Sequence, residues 1–343
     1  MNNFWQKIAK KGVFFCLAPM SDVTDIAFRQ IIAKYSRHGT KKGGPDIFWT
    51  EFVSADGIAS IEGRKKLLPI LKYSKKEKPI IAQIFGAKPE NIKTTCQIIS
   101  KLGFDGIDIN MGCPDRAVVK QGAGSALINT PKLACEIIRA AKLGAPKLPI
   151  SVKTRIGFNH IQYKTWLPKI LKENISALTI HLRTKKEMSD VPAHFELAKD
   201  IAKTVRKHDE KVALIVNGDI QSLEQGKKLA KETGFDGVMI GRAIFGNPWF
   251  FACPNDHSVG LDSKNKAEKI SVKEKLNVLV EHTKLYEKLL PHRNFANMKK
   301  HFKAYVNGFD NAKELRVELM KTNYAKEMEV ITYNYLKRSL TQK

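Results

Sequence analysis

Short apolar runs alternate with amphipathic stretches along the first 250 or so residues, and the alternation is regular enough to count. Eight β-like runs occupy 13–18, 46–51, 79–85, 106–110, 149–154, 177–182, 212–217 and 236–240. Several are almost wholly apolar, such as Ala213-Leu214-Ile215-Val216, as strands covered on both faces of a parallel sheet are. Between them, 24–35, 89–102, 131–143, 193–208 and 223–233 repeat apolar residues at helical spacing. Pro89 and Pro131 stand where proline opens a helix. Eight strands alternating with helices over this length predict an α/β fold of the (β/α)8 TIM-barrel type. A doubly wound sheet is the alternative, but no G-x-G-x-x-G follows the first run.

After Phe251 the pattern changes. Residues 255–269 are polar and aperiodic, and from Ser271 onward only helical periodicity remains, over 272–290, 294–307, 312–320 and 323–337. Pro291 and Gly308 mark breaks. The expected organisation is a catalytic barrel at 1–254, a linker at 255–270 and a small helical bundle at 271–343.

Composition narrows the class. Apolar residues at 43% and charged residues at 27% describe a water-soluble globular chain. No apolar run approaches the roughly 18 residues of a membrane span. The N-terminal stretch Met1 to Lys11 is basic but is followed by no apolar core and cleavage site, so no secretory signal is read. Five cysteines, Cys16, Cys96, Cys113, Cys135 and Cys253, stand at irregular spacing with no C-x-x-C. That pattern supports neither a metal site nor a disulfide framework, and a reducing cytoplasm is its simplest home.

The formal net charge of +25 is large for an enzyme of small molecules. Residues 256–343 hold 18 Lys/Arg against 11 Asp/Glu, a net +7, which leaves +18 for the first 255 residues. Charge spread over both parts suits a large folded polyanion. A lysine-rich surface with no nucleic-acid partner explains the same number.

Chemistry gathers where a barrel keeps its active site, at the carboxyl ends of the strands. The runs deliver Pro19, Met20 and Ser21, then Gln83, Asn110 and Cys113, Lys153 and Arg155, His181 and Arg183, Asn217, Gly218 and Asp219, and last Gly241 and Arg242. Ile107 to Pro114 is the most telling stretch: a buried-type strand running into a Gly-Cys-Pro turn, with Gly124-Ser125 downstream. Most free cysteines are small core residues. Here the strand has ended and Pro114 continues no ladder, so the thiol is set for chemistry. Lys153 in a barrel mouth implies an anion or cofactor to meet it. His181 alone reads as a core histidine; its neighbours favour a ligand contact. Gln83 offers both a donor and an acceptor, as a flavin edge or a base requires. Gly218 and Gly241-Arg242, after the last two strands, match the usual barrel phosphate site, although each glycine also suits an ordinary turn.

The motifs Leu17-Ala18-Pro19-Met20, Asp108-Ile109-Asn110-Met111-Gly112-Cys113-Pro114, Val152-Lys153-Thr154-Arg155, Thr179-Ile180-His181-x-Arg183-Thr184, Asn217-Gly218-Asp219-Ile220 and Met239-Ile240-Gly241-Arg242-Ala243 come in a specific order. In them the chain resembles the tRNA-dihydrouridine synthases, flavoenzymes that reduce uridine in RNA. The resemblance implies FMN in the barrel mouth, NADPH as reductant, and a helical RNA-binding tail. It assigns Pro19, Met20, Ser21, Gln83, Lys153, His181, Asn217, Gly218, Asp219, Gly241 and Arg242 to the flavin, and makes Cys113 the proton donor. Asn110, Arg155 and Arg183 are candidate substrate contacts. A thiol suits the donor role, because at a pKa near 8.5 it is mostly protonated at neutral pH.

The implied partner is tRNA, with ribosomal RNA also open, and the implied protein is a cytoplasmic monomer with no obligate protein partner. Leu182 stands where the family usually has glycine, and Ser21-Asp22 where it has Ala-Gly. Residues 34–45 form a basic, glycine-containing insertion that suits either an RNA contact or a surface loop. Two other functions compete. An FMN barrel acting on a small molecule, as dihydroorotate dehydrogenases do, shares the phosphate motif but needs neither the basic tail nor the charge. A non-catalytic RNA-binding barrel has no need of Cys113, Lys153 and His181 together.

Overall fold

The computed structural model describes residues 4–40, 43–252 and 270–341. The expected linker lies, apart from Ile270, outside the described residues, as does Cys253. The chain forms two compact units: residues 1–21 with 45–241, and residues 22–44 with 242–343.

The first unit is a parallel barrel. Its strands are β1 (Phe14–Leu17), β2 (Phe48–Trp49), β3 (Val53–Ser54), β4 (Ile80–Phe85), β5 (Gly106–Met111), β6 (Ile150–Gly157), β7 (Ala177–Thr184), β8 (Ala213–Asn217) and β9 (Gly237–Ile240). They lie in the order β1-β9-β8-β7-β6-β5-β4-β2, with β3 also on β4. The ring closes through a parallel bridge between Cys16 and Ile47, where the Leu17 N–H donates to the Ile47 carbonyl at 3.1 Å. The (β/α)8 expectation holds, with one local difference. The run at 46–51 forms only the two-residue β2, and a second short piece, β3, follows beyond it. Between them the Thr50 hydroxyl accepts the Gln83 N–H at 3.2 Å and so takes over the ladder.

Strand alternation sorts the barrel interior. Phe14, Cys16, Ile47, Trp49, Ile81, Ala177, Ala213, Ile215 and Met239 form one apolar cluster. Gly237 belongs to this packing: a Cβ there would sit 2.4 Å from the Phe14 ring, so only glycine leaves the ring its place. The helix Phe4–Ala9, which the hydrophobic pattern did not announce, adds the fully buried Trp5 to this cluster. Trp5 lies 5.7 Å from Trp49 and 6.3 Å from Phe14, ring centre to ring centre.

The helices follow the predicted periodicity closely. Pro89–Ile99, Pro131–Gly144, Ala198–His208 and Leu223–Thr233 lie where expected. Tyr163–Leu171, with Pro168 inside it, carried too weak a period to be read.

The second unit is helical: Ile26–Tyr35, Val272–Leu289, Lys299–Tyr305, Ala312–Leu319 and Ala325–Thr341. Ser271 and Glu274 close a capping box at the head of the long helix, satisfying two orphan amide groups. Ile26, Ala27 and Ile31 pack into one core with Leu276, Leu279, Met298, Phe302 and Leu315. The basic insertion is tied into this unit. Lys34 pairs with Glu281 at 2.7 Å, Tyr35 donates to the same carboxylate, and Gly43 bridges to Ala252. Lys41 and Lys42 lie outside the described residues.

Candidate active site at the carboxyl end of the barrel

Strand register sets the site side chains beside one another. Gln83 on β4 pairs with Asp108 on β5, and Asn110 pairs with Lys153 on β6. Arg155 pairs with His181 on β7, and His181 with Asn217 on β8. Residues in register on parallel strands face the same side, so the polar groups of β4 to β8 point together into the upper barrel.

The turn after β5 is built on Asn110. Its side-chain carbonyl accepts the Gly112 N–H at 3.1 Å and the Cys113 N–H at 2.8 Å. Its amide donates to Gln83 Oε1 at 3.1 Å, and Gln83 Nε2 donates to Asp108 Oδ2 at 2.7 Å. Asp108 also accepts the Ser151 hydroxyl at 2.6 Å. Cys113 is half-buried at the end of this chain of bonds. Burial pushes its thiol pKa up, and the Asp115 charge adds to that; a backbone hydrogen bond at Asp115, Lys153 and Arg155 oppose it without cancelling it. The group is therefore a thiol rather than a thiolate at neutral pH.

Lys153 is half-buried beside Asn110, and among the described residues its ammonium has neither a hydrogen bond nor an ion pair. Loss of water, then the Arg155 charge, pull its pKa down to about 8 against the opposing pull of Asp108 and Cys113. A cation held at a barrel mouth without an ion pair is suited to an anionic or electron-rich ligand.

The two arginines face their own chain. Arg155 donates to the carbonyls of Gly112 at 2.9 Å, Thr184 at 2.8 Å and Met188 at 3.0 Å. Arg183, almost fully buried, donates to the Val191 carbonyl at 2.6 Å and pairs with Asp219, which also accepts the Ala193 N–H at 3.0 Å. Together they clamp the loop after β7 and tie it to the carbonyl that precedes Cys113.

The last two strands each run into a glycine. Gly218 has φ +128°, a conformation reserved for glycine, and lies against Ala193. A Cβ on Gly241 would meet nothing nearer than Ala18 and Met20, at 3.7 Å. Asn217 donates to the Met239 carbonyl at 2.9 Å and holds the ends of β8 and β9 in register. Pro19 and Met20 are half-buried after β1, and Ser21 is exposed. Arg242 is exposed at the start of the short turn Arg242–Ile244.

Asp108 and Ser151 are the polar members that residue-by-residue reading passed over. The signal was present. In a strand, Asp108 and Asn110 share a face, and two polar residues facing a barrel interior need each other's partners. Among the described residues no group of three His, Cys, Asp or Glu side chains is placed to hold a metal, and no helix is long and apolar enough to cross a membrane.

The fold and this site define an α/β-barrel protein with a half-buried thiol at the strand ends and a lysine that, among the described residues, makes no ion pair. The family model described as dihydrouridine synthase matches residues 16–341. A protein named probable tRNA-dihydrouridine synthase from Staphylococcus aureus (strain MRSA252) is 41% identical over 333 residues, covering 96% of this chain and 94% of the relative. Probable tRNA-dihydrouridine synthase 2 from Bacillus subtilis (strain 168) is 39% identical over 342 residues, covering 98% of each. Among solved structures, a 2-naphthoyl-CoA reductase complex matches 68% of this chain and 48% of that chain with a TM-score of 0.50 at 12% identity, a likeness of fold alone. The chain belongs to the dihydrouridine synthase family.

Proposed function

We propose that this protein reduces uridines of tRNA to 5,6-dihydrouridine, using FMN reduced by NADPH, with Cys113 as the acid. The observation that carries the reading is the Cys113 turn: a protonated thiol held by Asn110, one strand from an ammonium that makes no ion pair among the described residues. Membership of the family supplies the reaction class and the tRNA substrate.

The residues present fit FMN. Lys153 offers a positive charge to an electron-rich ring, and Gly241 leaves backbone open to a phosphate. Pro19, Met20, Ser21, Gln83, Lys153, His181, Asn217, Gly218, Asp219, Gly241 and Arg242 are the residues we assign to hold it. Bound flavin supplies hydride to carbon 6 of the uracil ring. The protein's part is to bring the base out of its stack, stabilise negative charge and deliver the proton. Cys113 gives its Sγ proton to carbon 5, and burial favours this by keeping the thiol protonated. Arg155 and Arg183 support the site by fixing the loop after β7, which leaves them a positioning role. The net charge of +25 serves to hold RNA, and the free thiols of Cys16, Cys96, Cys113 and Cys135 suit a reducing cytoplasm.

The test is direct. Purified protein carries FMN and, with NADPH, converts uridine to dihydrouridine in tRNA isolated from a strain lacking this gene, read by nucleoside mass spectrometry. Cys113→Ala keeps the flavin and the RNA but loses most turnover. Protein that neither holds flavin nor changes any tRNA uridine refutes the function. Full activity in Cys113→Ala refutes the proton-donor assignment alone.

A further inference from the structure

The Asn110 amide has to face one way. Its oxygen accepts two backbone N–H groups, those of Gly112 and Cys113, and backbone donors do not reverse. Its NH2 therefore meets Gln83 Oε1, so Gln83 turns its own NH2 toward Asp108. That end is fixed as well, because an ionised carboxylate only accepts. The Ser151 hydroxyl donates to the other Asp108 oxygen. Asp108, Gln83 and Asn110 are all buried. With little or no solvent to satisfy a reversed amide, each link dictates the next.

We propose that Asp108 is a positioning residue: through Gln83 and Asn110 it sets the direction of a buried amide relay and so fixes the turn that presents Cys113. Asp108 bonds to Gln83 and Ser151 rather than to Cys113. It acts by making one orientation of two amides, Gln83 and Asn110, compatible with the backbone of residues 112–113. Burial lifts its pKa to about 6, and below that a protonated carboxyl is able to donate to Gln83 and release the constraint. Lys153 is the charged group it faces.

The consequence for turnover rests on the proposed role of Cys113; the relay itself does not, and its test needs no substrate. In Asn110→Asp, an acceptor faces the Gln83 oxygen. If Gln83 reverses to relieve that contact, its oxygen then meets the Asp108 carboxylate, so the single variant has no satisfied arrangement. Asp108→Asn alone is mild, since the new NH2 has the Ser151 oxygen to donate to. Combined, the two changes let the whole relay run in reverse. The new amide at position 108 donates to Gln83, and Gln83 donates to the new carboxylate at position 110. That carboxylate still accepts both backbone N–H groups.

The readout is the rate at which iodoacetamide alkylates Cys113 in the full-length protein, followed peptide by peptide, with thermal melting alongside. Half-buried Cys135 is the internal reference, and buried Cys16 and Cys96 report global loosening. Asn110→Asp is expected to raise Cys113 alkylation at least tenfold with Cys135 unchanged. Adding Asp108→Asn is expected to bring it back to within about threefold of wild type. If Asn110→Asp fails to fold, recovery of folding by the second change is the expected result. A double variant no better than Asn110→Asp, in alkylation or in folding, overturns the relay. Failure of the proposed function shows differently: wild-type protein makes no dihydrouridine while the alkylation pattern stays as expected.

Discussion

Gly124 lies directly against Cys113. A methyl group on Gly124 would stand 3.0 Å from the Cys113 carbonyl oxygen, 3.3 Å from its Cβ and 2.8 Å from Val118 Cγ1. Its φ of +60° is itself a left-handed conformation that costs a residue with a side chain about 1 kcal/mol or more. The next residue, Ser125, donates its N–H to that same Cys113 carbonyl at 3.1 Å. The Gly-Ser pair is thus the far wall of the Cys113 turn. Gly124→Ala is expected to lower the rate of dihydrouridine formation about tenfold or more, because small displacements of a reacting group cost that much. Flavin content should stay near wild type. Unchanged turnover would show that the turn tolerates the shift.

Lys153 makes ligand binding depend on pH in a direction opposite to stability. Its pKa in the folded chain is about 8, below the ordinary lysine value. Between about 8 and 10.5 the unfolded chain holds a proton that the folded chain has lost, so Lys153 makes stability rise with pH across that window. Below about 8 its burial penalty is fully present. An anionic ligand needs the ammonium, so FMN affinity is expected to fall as pH rises past about 8. Fluorescence titrations of flavin into apoprotein at about pH 6.5 and pH 9.5 should differ by roughly tenfold, one pKa unit or more of lost charge interaction. Lys153→Met should bind weakly at both pH values. Equal affinity for wild type at the two pH values would sink the charge argument.

The C-terminal helices are needed by a helix far from them in sequence. Ile26, Ala27 and Ile31 share a core with Leu276, Leu279 and Phe302, and Lys34 and Tyr35 hold Glu281. Burying an isoleucine side chain contributes about 1.5–3 kcal/mol, so removing 256–343 strips several kcal/mol from the helix Ile26–Tyr35. The truncated chain is expected to bind an apolar dye and to elute as aggregates on gel filtration. A truncated chain that is monomeric, dye-negative and melts cooperatively would show that this helix does without its C-terminal partners.

Much of this was legible in the chain. The strands betrayed themselves because parallel strands buried on both faces are near-continuous apolar runs, and β8 is Ala-Leu-Ile-Val-Asn. The turn that carries Cys113 was legible because Pro114 continues no ladder after a strand. The break between β2 and β3 was hidden, since the Thr50 hydroxyl substitutes for a backbone acceptor and Thr50 reads as an ordinary strand residue. The grouping of 22–44 with 242–343 was hidden too, because contacts between segments about two hundred residues or more apart leave no periodic trace. The carbonyl partners of Arg155 and Arg183 were hidden. Which carbonyls a guanidinium finds depends on how a loop returns, and the loop after β7 carries no pattern.

His282 and His301 form a buried pair with no hydrogen bond to either ring among the described residues. Their centres are 4.6 Å apart, with Phe28 stacked on His282 at 5.3 Å and Phe245 on His301 at 5.8 Å. Burial, chiefly, holds His301 down at about 3 and His282 well below the usual imidazole value. Below pH 6.5 the unfolded chain takes up protons that the folded pair refuses, so stability is lost as pH falls from about 6.5 toward 3. A phenyl ring is only slightly larger than imidazole and leaves no nitrogen unsatisfied, which removes a desolvation cost of about 1–3 kcal/mol. His301→Phe is therefore expected to raise the melting temperature at neutral pH and to move the acid unfolding midpoint lower, with flavin content unchanged. Melting curves from about pH 7 down to about pH 4 decide it. A lower melting temperature at neutral pH with an unmoved acid midpoint would mean that the imidazoles are satisfied by bound water, and that the pair is a hydrated site rather than an aromatic one.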